Sequence, residues 1–443
     1  MRSSILATPA LCAACGSAPR IDPNEGAFHL QDLGRRDAFG RNPNATPVSA
    51  STAGTSRSLA SGGKWSGDIE SLEAALEGRW SHRRTHQRVD GITVGPVMDA
   101  LREEATVAPG RPAYRRAVGR ALCRLGDGNL QIARDPKTQS DTGLAVRAVG
   151  ETLLVQDVDA RYGSALRPGD LILAVDGVET TQWVRTTCRT PGSTPGQRMT
   201  RFSTALEEAS SVRTEGRAKR IKVRSAKRGK VRDVELRWTP KKPGPCVTGT
   251  SMADDVGVVA VHDLGCEPTQ FDQELAAAFD AAGTQHVLLD LRRTQGNDEA
   301  NAQSVAGRFV PEATVWATVR TGGGAYEDEP LQSGSTAVPQ GRWLMTSARC
   351  DNACELLAAV AAGQSGVTTV GKATAGAVAR PERVTVGQGL QISVPTSVFA
   401  LPGTTVRLEA RGVHPDVEVT ATIDDLAQRR DPELVAVARR IRG

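Results

Sequence analysis

The sequence predicts an α/β protein with a helical N-terminal region and a β-rich insert. Three observations carry this. Between residues 253 and 425, short apolar runs alternate with helical patterns, the rhythm of a sheet covered on both faces. Between 65 and 127, apolar residues recur at spacings of three and four, the period of helices with one buried face. Between these regions, strand-like runs are punctuated by Gly and Pro turns.

The 443 residues suffice for two or three domains. Hydrophobic content of 39% supports a buried core, and 4% aromatics make that core aliphatic. The net charge of +5 arises from 55 basic and 50 acidic residues. That balance is too even to argue for nucleic acid, and no nucleic-acid partner is expected. No apolar run approaches the ~20 residues of a membrane helix.

Arg2 precedes a short apolar stretch, Ile5 to Ala14, interrupted by Pro9 and followed by Cys12-Ala13-Ala14-Cys15-Gly16-Ser17. Small residues before a cysteine resemble a bacterial lipoprotein cleavage site. That resemblance makes 1–15 a signal, Cys15 the lipidated residue, and the bacterial cell envelope or periplasm the expected location. The alternative is a tail with incidental cysteines. Residues 16–64 are rich in Ser, Thr, Gly, Pro and Asn without a hydrophobic period, the composition of a disordered tether.

The helical region, 65–139, rests on Ile69, Leu72, Ala75 and Leu76, then Val97 and Leu101, then Tyr114, Val118, Leu122 and Leu125. It ends at Gly126-Asp127-Gly128. In the insert, 140–242, Pro168-Gly169 makes a turn, Leu171 to Val175 a short strand, and Asp176-Gly177 turns the chain back. Ile221 and Val223 then alternate with Lys222 and Arg224 before a turn at Arg228-Gly229-Lys230. Residues 213–242 hold 13 Lys or Arg against three acids. This basic hairpin is either a solvated face or a contact for the anionic membrane surface that an anchored protein meets.

The core, 243–430, has strands at Val256–His262, His286–Leu291, Trp343–Thr346 and Val367–Val370. Helices are marked by Phe271, Leu275, Ala278 and Phe279 up to Gly283, and by Ala353–Ala362 up to Gly363. Setting aside Cys12 and Cys15, six cysteines remain: Cys123, Cys188, Cys246, Cys266, Cys350 and Cys354. In an exported protein they are free to form disulfides. Cys350 and Cys354 are close enough to pair, and connectivity stays open. No Cys-x-x-Cys pair with a matching His suggests zinc, and neither metal nor cofactor is expected.

Two resemblances follow. Leu166-Arg167-Pro168-Gly169-Asp170-Leu171-Ile172-Leu173-Ala174-Val175-Asp176-Gly177 resembles the PDZ pattern. Gly143-Leu144-Ala145-Val146 resembles the loop and strand in which such domains receive a peptide carboxylate. Asp290-Leu291-Arg292-Arg293-Thr294-Gln295-Gly296-Asn297, Asn352-Ala353-Cys354-Glu355, Gly371-Lys372-Ala373-Thr374-Ala375-Gly376-Ala377 and Gly412-Val413-His414-Pro415-Asp416 resemble the tail-specific (C-terminal processing) serine peptidases. The closest likeness is to their tricorn-core-like branch. The resemblance covers roughly 65–425. It implies an α/β peptidase core with a mixed sheet, an inserted PDZ-like domain, and peptides or protein C-termini as partners.

The chemistry departs from the family. Asn352 stands at the nucleophile, Asn129 at the histidine and Ala377 at the lysine. Asn forms no acyl-enzyme and is no general base. Asn352 is also a residue type that favours a helix N-cap. Thr294 and Asn297 replace an Asn and the second Gly of the oxyanion loop, and Gly296 is kept. Glu409 resembles the acid of the tricorn-like branch, or is a surface carboxylate near Arg411. Ser347, Cys350 and Cys354 are alternative nucleophiles, with His262, His286 and His414 as core bases; a disulfide or core packing is the other role for the cysteines. Two functions stand side by side: a non-catalytic peptide binder, and a hydrolase of unfolded polypeptides with a relocated nucleophile.

Overall fold

The computed structural model describes residues 63–133, 139–182, 192, 194–210, 220–252, 256–283, 286–311, 314–332 and 339–442. The lipoprotein-like segment with Cys15 lies outside the described residues, as do 16–62 of the tether and Cys188. No helix among the described residues is long and apolar enough to cross a membrane.

Four helices open the described chain: α1 (Ser66–Arg79), α2 (Arg83–Val89), α3 (Val94–Thr106) and α4 (Arg111–Arg124). Their periodic residues Leu72, Leu76, Leu101, Val118 and Leu122 are all buried. Part of what they pack against comes from late in the chain. Val386, Leu390, Ile392 and Val394, on the antiparallel hairpin of Pro381–Val386 and Leu390–Pro395, belong to the same core cluster. Two chain segments separated by more than half the sequence thus share one apolar interior.

The central sheet runs in the order Val247–Ser251, Val256–Val261, His286–Asp290, Gly341–Thr346, Val367–Gly371, Val417–Glu418. The first pair is antiparallel and the others are parallel. The inner strands Val256–Val261 and His286–Asp290 are buried on both faces, which is why they read as continuous apolar runs. Val259, Val287, Leu289 and Leu344 face one cluster, with Phe271, Leu275 and Ala278 of the helix Pro268–Ala282. Val258, Leu288, Met345 and Val370 face another, with Val437 of the C-terminal helix Pro432–Ile441.

The insert is an antiparallel sheet in the order Leu144–Val149, Thr152–Val158, Leu171–Val175, Arg220–Arg224, Val231–Glu235. The last two strands are the basic hairpin. Leu144–Val149 is an edge strand, and the helix Pro195–Glu207 packs against it, burying Met199, Phe202 and Leu206.

The helix Pro268–Ala282 lies so close to the sheet that only glycine fits beneath it. A Cβ on Gly257 would stand 2.0 Å from the Ala282 carbonyl oxygen, and one on Gly249 2.0 Å from that of Ala278. Gly257→Ala is expected to lower the unfolding free energy by about 1–3 kcal/mol, the usual cost of overpacking. Urea denaturation checks this; an unchanged midpoint would mean that the helix does not sit on the strand.

Candidate functional site

The positions resembling nucleophile, histidine and lysine meet in space. The Asn352 N–H donates to the Ala377 carbonyl at 3.0 Å, and Asn352 Oδ1 accepts from Ala379 N–H at 3.3 Å. A Cβ on Gly128 would stand 3.0 Å from Ala377 Cβ, so Gly128-Asn129 lies against the same residue. The helix Pro195–Glu207 braces both sides. Arg201 Nη1 donates to the Gly128 carbonyl at 2.6 Å, while Arg201 Nη2 and Gln197 Nε2 donate to Asp351 Oδ2 at 3.1 and 3.3 Å.

Asn352 opens the helix Ala353–Ala362 with φ 50° and ψ −121°. A positive φ in a residue other than glycine costs on the order of 1–3 kcal/mol. Sharp, strained strand-to-helix turns lift the nucleophile to the front of a helix in α/β-hydrolases. Asn352 stands at the N-cap position as its residue type favours, but its side chain makes no cap hydrogen bond. A β-region Ncap aims its side chain at the N2 or N3 amide; here the backbone turn directs Oδ1 to Ala379.

The amide after a nucleophile ordinarily supplies an oxyanion donor. Here Ala353 N–H donates to Asn297 Oδ1 at 3.1 Å. Asn297 therefore occupies a donor as well as the place of a glycine. Gly296 has φ 81°, and a Cβ there would stand 2.2 Å from Gly265 N, so packing alone demands glycine. Thr294 is buried and donates to the Val261 carbonyl at 2.8 Å. Glu355 is fully buried and accepts from Thr374 Oγ1, from Gly376 N–H at 2.8 Å and from Ala377 N–H at 2.8 Å. Burial pushes its carboxyl up to about 8, against these donors. Its role is to hold the loop carrying Ala377 onto the helix.

The relocated cysteine nucleophile is overturned. Cys350 and Cys354 form a disulfide, as do Cys246 and Cys266, and Cys123 is disulfide-bonded too. A disulfide sulfur carries no thiolate to attack a carbonyl. Ser347 Oγ donates to the Arg292 carbonyl at 2.7 Å and accepts from Arg349 N–H at 3.1 Å, so its proton goes to a carbonyl rather than a base. His262 Nε2 pairs with Thr248 Oγ1 at 2.8 Å.

Two further histidines, His82 and His86, stand beside the site, in addition to the His262, His286 and His414 of the sequence reading. His82 and His86 lie at either end of the first turn of α2 and are fully buried. Their i, i+4 spacing was the available signal. Glu409 is buried, which corrects its reading as a surface carboxylate. Its Oε1 accepts from His86 Nε2 at 2.9 Å, and its Oε2 lies 3.3 Å from His82 Nδ1. His82 Nδ1 bonds Asp127 Oδ2 at 2.9 Å and Nε2 bonds the Ser397 carbonyl at 2.9 Å; His86 Nδ1 bonds Asp90 Oδ2 at 2.8 Å. Trp80 Nε1 donates to Asp127 Oδ2 at 2.7 Å, and Asn129 N–H to Asp127 Oδ1 at 2.7 Å. Asn129 is thereby held beside the cluster, with its Nδ2 buried and without a hydrogen-bond partner.

One ligand atom each from His82, Asp127 and Glu409 lies within 4.8 Å of the others, a donor set suited to a metal ion. Yet every imidazole nitrogen of His82 and His86 faces an acceptor. A carbonyl and an ionised carboxylate accept only, so doubly protonated rings would find a partner for each N–H, the alternative to a metal ion at this cluster. Burial opposes charge on His82, but the Glu409 and Asp127 carboxylates outweigh it and raise its pKa. Burial also opposes charge on His86, and hydrogen bonds to Asp90 and Glu409 push it up to about 10. Burial would raise Asp127, but His82 holds it below the usual carboxylate range.

A histidine raised from its ordinary 6.5 stabilises the fold fully below that pH and loses this contribution as pH climbs through about 10. The slope is about 1.4 kcal/mol per pH unit for each proton bound only by the folded state. Unfolding free energy is expected to fall between pH 7 and 10, and His86→Gln to flatten that fall. Parallel wild-type and variant profiles in urea titrations would remove the imidazolium at this position.

Residues 255–419 match the profile of peptidase family S41. No curated protein matches the chain in sequence. Among solved structures, mature CPAF is similar with a TM-score of 0.66 and 12% identity, covering 85% of this chain and 97% of that one. Mature CPAF complexed with lactacystin gives 0.65 and 11%, covering 84% and 96%. The photosystem II D1 C-terminal processing protease gives 0.51 and 15%, covering 82% and 95%. At such identities the likeness is one of fold. The profile match alone marks residues 255–419 as a peptidase family S41 domain.

Proposed function

We propose that this protein is a non-catalytic peptide binder, a pseudopeptidase that captures peptide or protein C-termini. One observation carries the reading. The residue at the nucleophile position is Asn352, and the adjacent Ala353 amide is already bonded to Asn297. The usual base positions hold Asn129 and Ala377. Loss of a catalytic group ordinarily costs several orders of magnitude in rate, and here nucleophile, base and one oxyanion donor are all altered.

In this reading, residues 140–242 act as a PDZ domain and Gly143–Val146 as its carboxylate subsite. Lipidation of Cys15 tethers the protein at the bacterial cell envelope, where the basic hairpin meets anionic lipid. The three disulfide-bonded regions favour an oxidising compartment.

Incubation of the purified protein with an unstructured protein substrate is expected to yield no new peptides by mass spectrometry. Reproducible cleavage, lost in Ser347→Ala, would restore the hydrolase with a relocated nucleophile. For the anchor, Cys15→Ser is expected to shift the protein from the detergent phase to the aqueous phase of a Triton X-114 partition. Aqueous partition of the unaltered protein would end the lipoprotein reading.

A further inference from the structure

Glu207, the last residue of the helix Pro195–Glu207, is only 3% exposed. Its Oε1 accepts from the Val146 N–H at 2.6 Å, and its Oε2 accepts from Arg349 Nη1 at 2.7 Å. A buried carboxylate is costly unless paired in this way. The amide it takes belongs to the segment Gly143–Val146. On the same edge, Leu144 N–H donates to Thr142 Oγ1 at 3.3 Å, and Thr142 N–H to the Glu207 carbonyl at 2.8 Å. The end of the helix therefore covers the start of the edge strand with its own polar groups.

We propose that Glu207 is a built-in occupant of the carboxylate subsite, and that a peptide's free C-terminal α-carboxylate gains the subsite by displacing it. The inference rests on the peptide-binding reading above. The chemistry is that of like for like. A peptide α-carboxylate offers the same two oxygens to Val146 N–H and to a guanidinium, and its backbone extends the Leu144–Val149 edge as an added strand. Only a peptide that also buries side chains along the helix gains enough to expel an internal carboxylate already in place. Internal amides and amidated ends lack the charge that Arg349 neutralises.

Displacement also has a route to the core. Arg349 is adjacent to Cys350, whose disulfide spans Asn352. The same helix holds Gly128 and Asp351 through Arg201. Freeing Glu207 from Val146 and Arg349 would thus loosen a bond to the loop that precedes Asn352, reporting occupancy of the insert to the peptidase-like cleft.

The test uses the full chain with a fluorescein-labelled decapeptide ending in valine, as the free acid and as the C-terminal amide. Fluorescence anisotropy gives Kd for wild type, Glu207→Ala and Glu207→Gln, and thermal unfolding confirms that each variant is folded. Glu207→Ala is expected to bind the free acid at least tenfold more tightly and to leave the amide unchanged. Glu207→Gln, which keeps the shape and an acceptor for Val146, is expected to tighten binding less. The free acid binding wild type and both variants equally, or acid and amide tightening alike, would overturn the displacement while sparing the binder. No binding of the acid to any of the three proteins would overturn both readings.

Discussion

Glu409 is a carboxylate with no access to water, and the docking of the N-terminal helices follows from its need for partners. An isolated buried charge is too costly to keep. Glu409 Oε1 accepts from His86 Nε2, while Oε2 lies 3.3 Å from His82 Nδ1 without a hydrogen bond of its own; His82 in turn reaches Asp127 after α4 and the Ser397 carbonyl in the core. Removing one member leaves a buried charge uncompensated, so breaking the network costs more than the network contributes as a net interaction. The apolar cluster shared by Leu72, Leu101 and Ile392 supplies attraction between helices and hairpin. The charge network sets their register, because its hydrogen bonds are directional where apolar contact is not.

Around this frame the positions that resemble the peptidase site are held by a tightly bonded backbone. Asn352 retains a strained turn that asparagine does not need for capping. Glu355 still gathers the loop whose lysine position is now Ala377. Such strain persists only where the surrounding structure over-determines it. Here the Ala377 and Ala379 contacts, the Cys350–Cys354 disulfide and the Glu355 hydrogen bonds do so together. Asn297 completes the change: a side chain in place of a glycine satisfies the amide that an oxyanion would otherwise claim. A buried amide left without a partner is costly, and the Asn297 side chain removes that cost at Ala353.

The helix Pro195–Glu207 joins the insert to this cleft. Arg201 and Gln197 reach Gly128 and Asp351, and Glu207 reaches Val146 and Arg349. A single helix thus touches the edge strand of the insert and both sides of the Asn352 turn.

The strands and helices of the core were legible in the sequence because burial on both faces leaves an unbroken apolar run, as in His286–Leu291, and because helix period shows in Phe271, Leu275 and Ala278. The family likeness was legible in short strings such as Gly412-Val413-His414-Pro415-Asp416, where turns restrict residue choice. The residues at the three positions that resemble nucleophile, histidine and lysine could be named for the same reason. The contacts of Asn352, the pairing of the cysteines and the use of Asn297 could not, since each depends on which loops meet. His82, His86 and Glu207 escaped notice because a histidine or glutamate on a helix has no local mark of burial. Whether such a charge is solvated or locked in a network depends on residues hundreds of positions away. The sequence by itself determined the elements and the identities at the site, because these follow from local period and turn chemistry. Only the tertiary structure decided which charges are buried and what partners them, because desolvation is a property of the assembled chain.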